Sequence, residues 1–263
     1  MQKLFTSISA VSLLAVSITV VHAAPVTLPS GATGIQGTLH EGKDGRFKAQ
    51  VGLGFTRDFI DEIELKDYEG EVEGNINTFR LIYSVADRVD LYLDFGAAQD
   101  MEYRASLSNG DVTFELEDEI VWGAGLAFVV YQDKGGLAIN ADLRYRTIQE
   151  MGYDSVTVNG TAYTHDQVDV DAEAQYEEWH AALGMSYNLG FMTPYAGVKF
   201  VGNDYSATAT AGGSTYDFGS TESDKIMGGF AGITMLPSDR LAIDVQGRFV
   251  DEEAISASLT FMF

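Results

Sequence analysis

Val89-Asp90-Leu91-Tyr92-Leu93-Asp94-Phe95-Gly96-Ala97 places an apolar side chain at every second position. Successive side chains of an extended strand point to opposite faces. Val89, Leu91, Leu93, Phe95 and Ala97 therefore share one face, with Asp90, Tyr92, Asp94 and Gly96 on the other. A helix of the same sequence would scatter both sets around its circumference. The stretch reads as a two-faced strand, and the fold follows from how often the pattern recurs.

It recurs upstream. Phe47, Ala49, Val51, Leu53 and Phe55 alternate with Lys48, Gln50, Gly52, Gly54 and Thr56, and Phe79, Leu81, Tyr83 and Val85 with Thr78, Arg80 and Ser84. Downstream, Trp122–Val130 sets its apolar positions against Gly123, Gly125 and Tyr131. Leu137–Tyr145 sets them against Asn140, Asp142, Arg144 and Arg146. Trp179–Tyr187 opposes Glu178, His180, Gly184 and Ser186, and Pro194–Phe200 opposes Tyr195, Gly197 and Lys199. A weaker, Gly-rich run follows at Ala231–Met235. Leu241–Phe249 then opposes Asp244, Gln246 and Arg248, and Ile255–Phe263 opposes Ser256, Ser258 and Thr260. About ten strands are expected, with eight or twelve as alternatives.

The connections alternate in length. Short ones fall at Ala86–Arg88, Gln132–Gly135, Asn188–Phe191 and Leu236–Arg240. Long ones fall at Asp58–Gly74, Arg104–Glu117, Gln149–Gln175 and Gly202–Ser223. The last link, Asp251–Glu253, is short where a long one is due. Tight turns at one end and long loops at the other point to an all-β, antiparallel up-and-down transmembrane barrel.

Composition excludes several alternatives. The 263 residues carry a formal charge of −23, which opposes general nucleic-acid binding. The chain has no cysteine, which removes disulfides, thiolate chemistry and Cys-ligated metals. A mean hydropathy of −0.01 is too low for a helical membrane bundle. Lys3, the apolar run Ile8–Val21 and the small-residue site Val21-His22-Ala23 predict a secretory signal over residues 1–23. Ala24–Gly45, with Pro25, Pro29 and Ser30 and no sustained period, reads as a flexible periplasmic lead-in to a barrel over residues 46–263.

Alternation alone does not say which face is inside, since a soluble barrel would bury the apolar one. The polar face is rich in Gly, Ala and Ser, which suits a crowded lumen. Aromatics sit toward strand ends, as Phe47, Phe55, Tyr83, Trp122, Tyr145, Trp179, Tyr187 and Phe249, where interfacial girdles belong. The last strand carries Leu259, Phe261 and Phe263 at alternate positions. In these features residues 46–263 resemble the small bacterial outer-membrane β-barrel proteins, the porin-like and OmpA-type barrels. The resemblance implies insertion in the outer membrane with both termini periplasmic. It implies contact with membrane lipid and lipopolysaccharide, and a terminal strand read by the barrel-assembly machinery.

Six basic residues fall on the polar face: Lys48, Arg80, Arg144, Arg146, Lys199 and Arg248. Asp90, Asp94, Asp142, Asp244 and Glu178 share it, with His180. These are the lumen-lining candidates. They form either ion pairs that fill and stiffen a narrow lumen or the charged lining of a small solute pore. Glu178 and His180 are also a conceivable acid–base pair, and Thr164-His165-Asp166 a second one. No nucleophile accompanies either, so a non-catalytic protein without cofactor is expected.

The long connections hold much of the acid. Asp58, Asp61, Glu62, Glu64, Asp67, Glu69, Glu71 and Glu73 lie in the first, and Glu115, Glu117, Asp118 and Glu119 in the second. Asp169, Asp171, Glu173, Glu177 and Glu178 close the third. These are solvated faces, with divalent cations as the ligand that clustered oxygens allow, although Asp169-Val-Asp171-Ala-Glu173 lacks the glycine and distal glutamate of an EF-hand. Thr208–Ser220 reads as a flexible exposed loop. The expected function is a structural or surface-interaction role through acidic loops. A narrow porin-like channel is the alternative, and an outer-membrane hydrolase the remote one.

Overall fold

The structure is a computed structural model. It describes residues 24–35, 40–41, 48–62, 70–86, 88–107, 110–164, 170–211, 214–221 and 225–263. The expected signal over residues 1–23 lies outside these, as do Phe47, His165 and Asp166. Ten antiparallel strands close a barrel: β1 (Lys48–Glu62), β2 (Gly70–Val85), β3 (Val89–Leu107), β4 (Glu119–Gln132), β5 (Leu137–Met151), β6 (Val170–Tyr187), β7 (Met192–Ala211), β8 (Met227–Ser238), β9 (Leu241–Phe249) and β10 (Glu253–Met262). Each pairs with its sequence neighbour, and β10 returns to β1 with Leu259 opposite Phe55 and Phe261 opposite Leu53. Closure leaves no ring strand with an unpaired edge, which a hydrocarbon environment demands.

The apolar face looks outward. Phe79 is 68% exposed, and Leu81, Leu93, Phe95, Trp122, Leu183 and Met185 are exposed on the same outer face. Thr78, Arg80, Asp90, Asp94, Asp142 and Arg144 on the alternate positions are buried. Trp122 lies against Tyr145 with ring centroids 5.9 Å apart, and Trp179 is paired with Tyr145 across the β5–β6 ladder, forming an outer aromatic belt.

Several sequence expectations change. Tyr131 was assigned to the polar face, yet it is 52% exposed, because a register shift between Val129 and Tyr131 turns it outward. The long connections are largely strand rather than loop. β3, β6 and β7 run 19, 18 and 20 residues, well beyond the ~9–11 that cross a bilayer. Gly110–Leu116 folds back on β3, Tyr153–Val158 pairs with Gly110–Leu116, and Thr161–Thr164 pairs with Tyr153–Val158. The supposed loop Thr208–Ser220 supplies the end of β7 and most of Ser214–Thr221, which pair with each other. By contrast β9 and β10 have only 9 and 10 residues. The wall is tall over β2–β7 and low at β9–β10.

The interior has two storeys. Above the membrane-crossing height, inward positions are apolar: Ile60, Val72, Ile76, Met101, Tyr103, Phe114 and Tyr153 are all buried. A bulge in β3 opposite Gly74, with Asp100 in a left-handed conformation, switches the inward parity from Ala98 to Met101 and Tyr103. Below, the interior is polar, and it is not empty.

Candidate functional site: the filled lumen

Residues 24–35 lie inside the barrel. This corrects the reading of Ala24–Gly45 as a flexible lead-in, at least as far as Ile35. The segment has no period to detect because no strand ladder holds it. Side chains of the wall hold it instead. Val26 and Gln246 form a reciprocal pair: the Val26 N–H donates to Oε1 at 2.9 Å and the Val26 carbonyl accepts from Nε2 at 3.0 Å. The Thr27 N–H donates to Asp142 Oδ2 at 2.8 Å, and Arg144 donates to the Pro25 carbonyl at 3.2 Å. Pro25 and Pro29 bring no N–H that a dry lumen would have to satisfy, and they stiffen the peptide before it binds. Pro29 leads into a single helical turn, α1 (Ser30–Thr33). Both the backbone N–H and the hydroxyl of Ser30 donate to Asp90 Oδ2.

Three small apolar clusters seat the same segment. Val26 packs with Ala182, Tyr195 and Phe230, Ala32 with Val129 and Ala138, and Ile35 with Ala242 and Met262. Gly34 ends the helical turn at φ 83°, and a Cβ there would sit 2.5 Å from Asn188 Nδ2. A side chain at this position would meet backbone strain and would push the Asn188 amide away from the Thr33 carbonyl. The carbonyl of Thr33 accepts from Asn188 and from Thr193 at 3.3 Å each, beside the Asn188–Phe191 turn. The plug therefore has its Thr33 end at the short-turn mouth and its Ala24 end deep in the barrel.

The wall charges form linked groups around it. Asp94 takes Arg80 at 2.6 Å and Arg144 at 2.7 Å. Arg80 also lies over the Tyr92 ring, 4.1 Å from its centroid, and donates to the Thr27 hydroxyl. The Tyr92 hydroxyl reaches Asp142 at 2.7 Å, whose other oxygen meets His180 Nε2 at 3.0 Å. Tyr92 can lie flat because Gly125 faces it, where any Cβ would enter the ring. Higher up, Arg146 pairs with Glu178 at 2.8 Å, and Arg248 bridges Asp58 at 2.5 Å and Glu252 at 2.7 Å. Lys199 meets Asp251 at 2.9 Å and Glu252. In that link burial pushes the Asp251 carboxyl up to about 6, despite the neighbouring ammonium. Asp244 is held by Tyr195 at 2.9 Å and Thr234 at 2.7 Å.

Of the twelve lumen candidates, eleven lie in this interior. Lys48 opens β1, and its side chain is outside the described residues. Asp58 was counted with the solvated loop acids, but it is 1% exposed and shared by Arg146 and Arg248, because β1 continues through it with inward parity. Asp251 and Glu252 were missed because a short link folds its acids into the lumen. The alternation of Leu241–Phe249 ends before them. Among the described residues no group of three or more metal-ligating side chains is assembled. Leu259, Phe261 and Phe263 line the closing seam on the outer face, with the Phe261 and Phe263 centroids 4.9 Å apart. Between plug and wall a cavity of about 70 Å³ remains, bordered by Thr27, Thr56, Tyr92, Asp244 and Ser258 among others.

A closed antiparallel barrel with lipid-facing apolar residues and a charged interior defines a small outer-membrane β-barrel protein of porin-like type. Comparison with known proteins agrees. Residues 137–211, spanning β5 to β7, match the family described as Chlamydia major outer membrane protein. The chain is 23% identical over 261 residues to the major outer membrane porin of Chlamydia muridarum, covering 74% of this chain and 64% of that one. It is 28% identical over 132 residues to the serovar H porin of Chlamydia trachomatis, covering 35% and 33%. The chain thus spans about a third to two-thirds of the length of these relatives. Among solved structures it is similar to the translocator domain of the autotransporter NalP from Neisseria meningitidis (TM-score 0.48, 11% identity, 82% of this chain and 88% of that one). It is also similar to OprG from Pseudomonas aeruginosa (TM-score 0.40, 12% identity, 82% and 95%). The protein belongs to the bacterial outer membrane.

Proposed function

We propose that this protein is a narrow porin-like channel whose lumen is filled by its own N-terminal segment. This reading replaces the surface-interaction role as the leading one. What carries it is the lumen: its lining is polar and charged over the membrane-crossing height, and a short, separable peptide occupies the space that the paired wall side chains leave. Similarity to major outer membrane porins points the same way. The hydrolase alternative loses ground because His180 is buried between Asp142 and Glu178 beneath the plug, away from either mouth. In this reading the short turns face the periplasm, and Leu259, Phe261 and Phe263 present the strand that the assembly machinery recognises.

The test is conductance in planar bilayers of residues 24–263 against a chain lacking residues 24–35, each with its β-content checked first. The plugged barrel should give rare, small steps. The shortened one should conduct steadily, with a preference for cations because lumen carboxylates outnumber lumen cations. A folded, shortened barrel that stays silent would reject the channel.

A further inference from the structure

The deep end of the plug rests on a buried carboxylate. Ala24 is 0% exposed, and its nitrogen donates to Glu178 Oε1 at 2.7 Å. Glu178 is 2% exposed. Its other oxygen is taken by Arg146 at 2.8 Å and by the Tyr176 hydroxyl, and His180 Nδ1 lies 3.5 Å from Oε1. In an unprocessed chain the Ala24 nitrogen is an amide. Val21-His22-Ala23 immediately before it carries the small residues of a signal-cleavage site.

We propose that cleavage after Ala23 strengthens the bond that locks the plug: the new α-ammonium of Ala24 replaces the amide as donor to Glu178, and the processed chain holds its lumen closed more firmly. The cleaving protease adds water across the Ala23–Ala24 peptide bond. The hydroxyl goes to the Ala23 carbonyl, and the Ala24 nitrogen leaves as an amine, which takes up a proton at neutral pH. A neutral donor to a buried carboxylate becomes a charge-assisted one, which is roughly twice as strong.

The topology of the plug fits this placement. The plug enters at the short-turn mouth, where Thr33 meets Asn188, and ends at Ala24 beside Glu178, nine positions along β6 from Tyr187. Beyond that lies the buried apolar storey of Tyr103 and Phe114. A chain beginning at Ala24 stops short of it. The inference goes beyond the channel reading and holds whether or not the barrel conducts.

The absence of cysteine allows a clean test. A single Leu28→Cys on the plug reports seating through its reaction rate with a bulky water-soluble maleimide. The exported, processed protein is compared with the same chain bearing one extra glycine before Ala24, and with Glu178→Gln. N-terminal sequencing establishes the first residue of the exported chain. The processed chain should start at Ala24 and label slowly. The extended chain and Glu178→Gln should label roughly tenfold faster or more, as expected for loss of a buried charge-assisted bond. An extended chain as well protected as the processed one would overturn the proposal, as would a mature chain that starts elsewhere. Because the extension leaves every barrel residue intact, the test stands even if Glu178→Gln fails to fold. Labelling reads the plug and conductance reads the pore, so either reading can fail alone.

Discussion

Asp94 shows what a single lumen side chain has to do. It neutralises Arg80 and Arg144 together, and both guanidinium groups are largely buried. Asp94→Asn leaves two buried cations with one carboxylate fewer, so we expect a loss of about 3–5 kcal/mol in urea unfolding of the vesicle-inserted protein. Combining it with Arg144→Met should recover part of that loss, since one unpaired charge goes with it. Gly125→Val should act differently. It evicts the Tyr92 ring, breaks the hydroxyl bond to Asp142, and loosens the plug through the Thr27 contact on the same carboxylate. Faster labelling of Leu28→Cys would register it. The inward position of these charges was legible from alternation alone. Their partners were not, because pairing across the lumen joins residues far apart in the chain.

Strands were legible where the period held and misread where it broke. The ten alternating runs correspond one to one with the ten strands, since a lipid-facing wall tolerates no lapse in its apolar face. A bulge defeated the reading at one place and lay just past its end at another. The register shift at Val129/Tyr131 turned Tyr131 outward, and the bulge at Asp100 moved the inward parity onto Met101 and Tyr103. The acidic connections looked like loops because their charged residues interrupt the apolar alternation, while hydrogen bonds to neighbouring strands leave no trace in sequence. The outer surface carries its own prediction. Leu93→Arg, on the lipid face of β3, should cost roughly 2–4 kcal/mol in the same unfolding measurement. Ala162→Arg, exposed on a strand beyond the membrane, should change it by no more than about 0.5 kcal/mol.

At the scale of the molecule, twelve residues touch nearly the whole ring. The plug meets β2 through Arg80, β3 through Asp90, β5 through Arg144, β6 through Glu178, β7 through Thr193, β9 through Gln246 and β10 through Met262. Composition disguised this segment: two prolines and a few small residues resemble a linker, and only Val26, Leu28, Ala32 and Ile35 hint that it is buried. Diameter grows with the number of strands. A peptide that grips a ten-strand wall on all sides would be squeezed out of eight and would rattle in twelve. The N-terminal segment is thus a gauge for the barrel. A lineage that gained or lost a hairpin would have to rewrite Ala24–Ile35 in the same step, so strand number and plug sequence should change together.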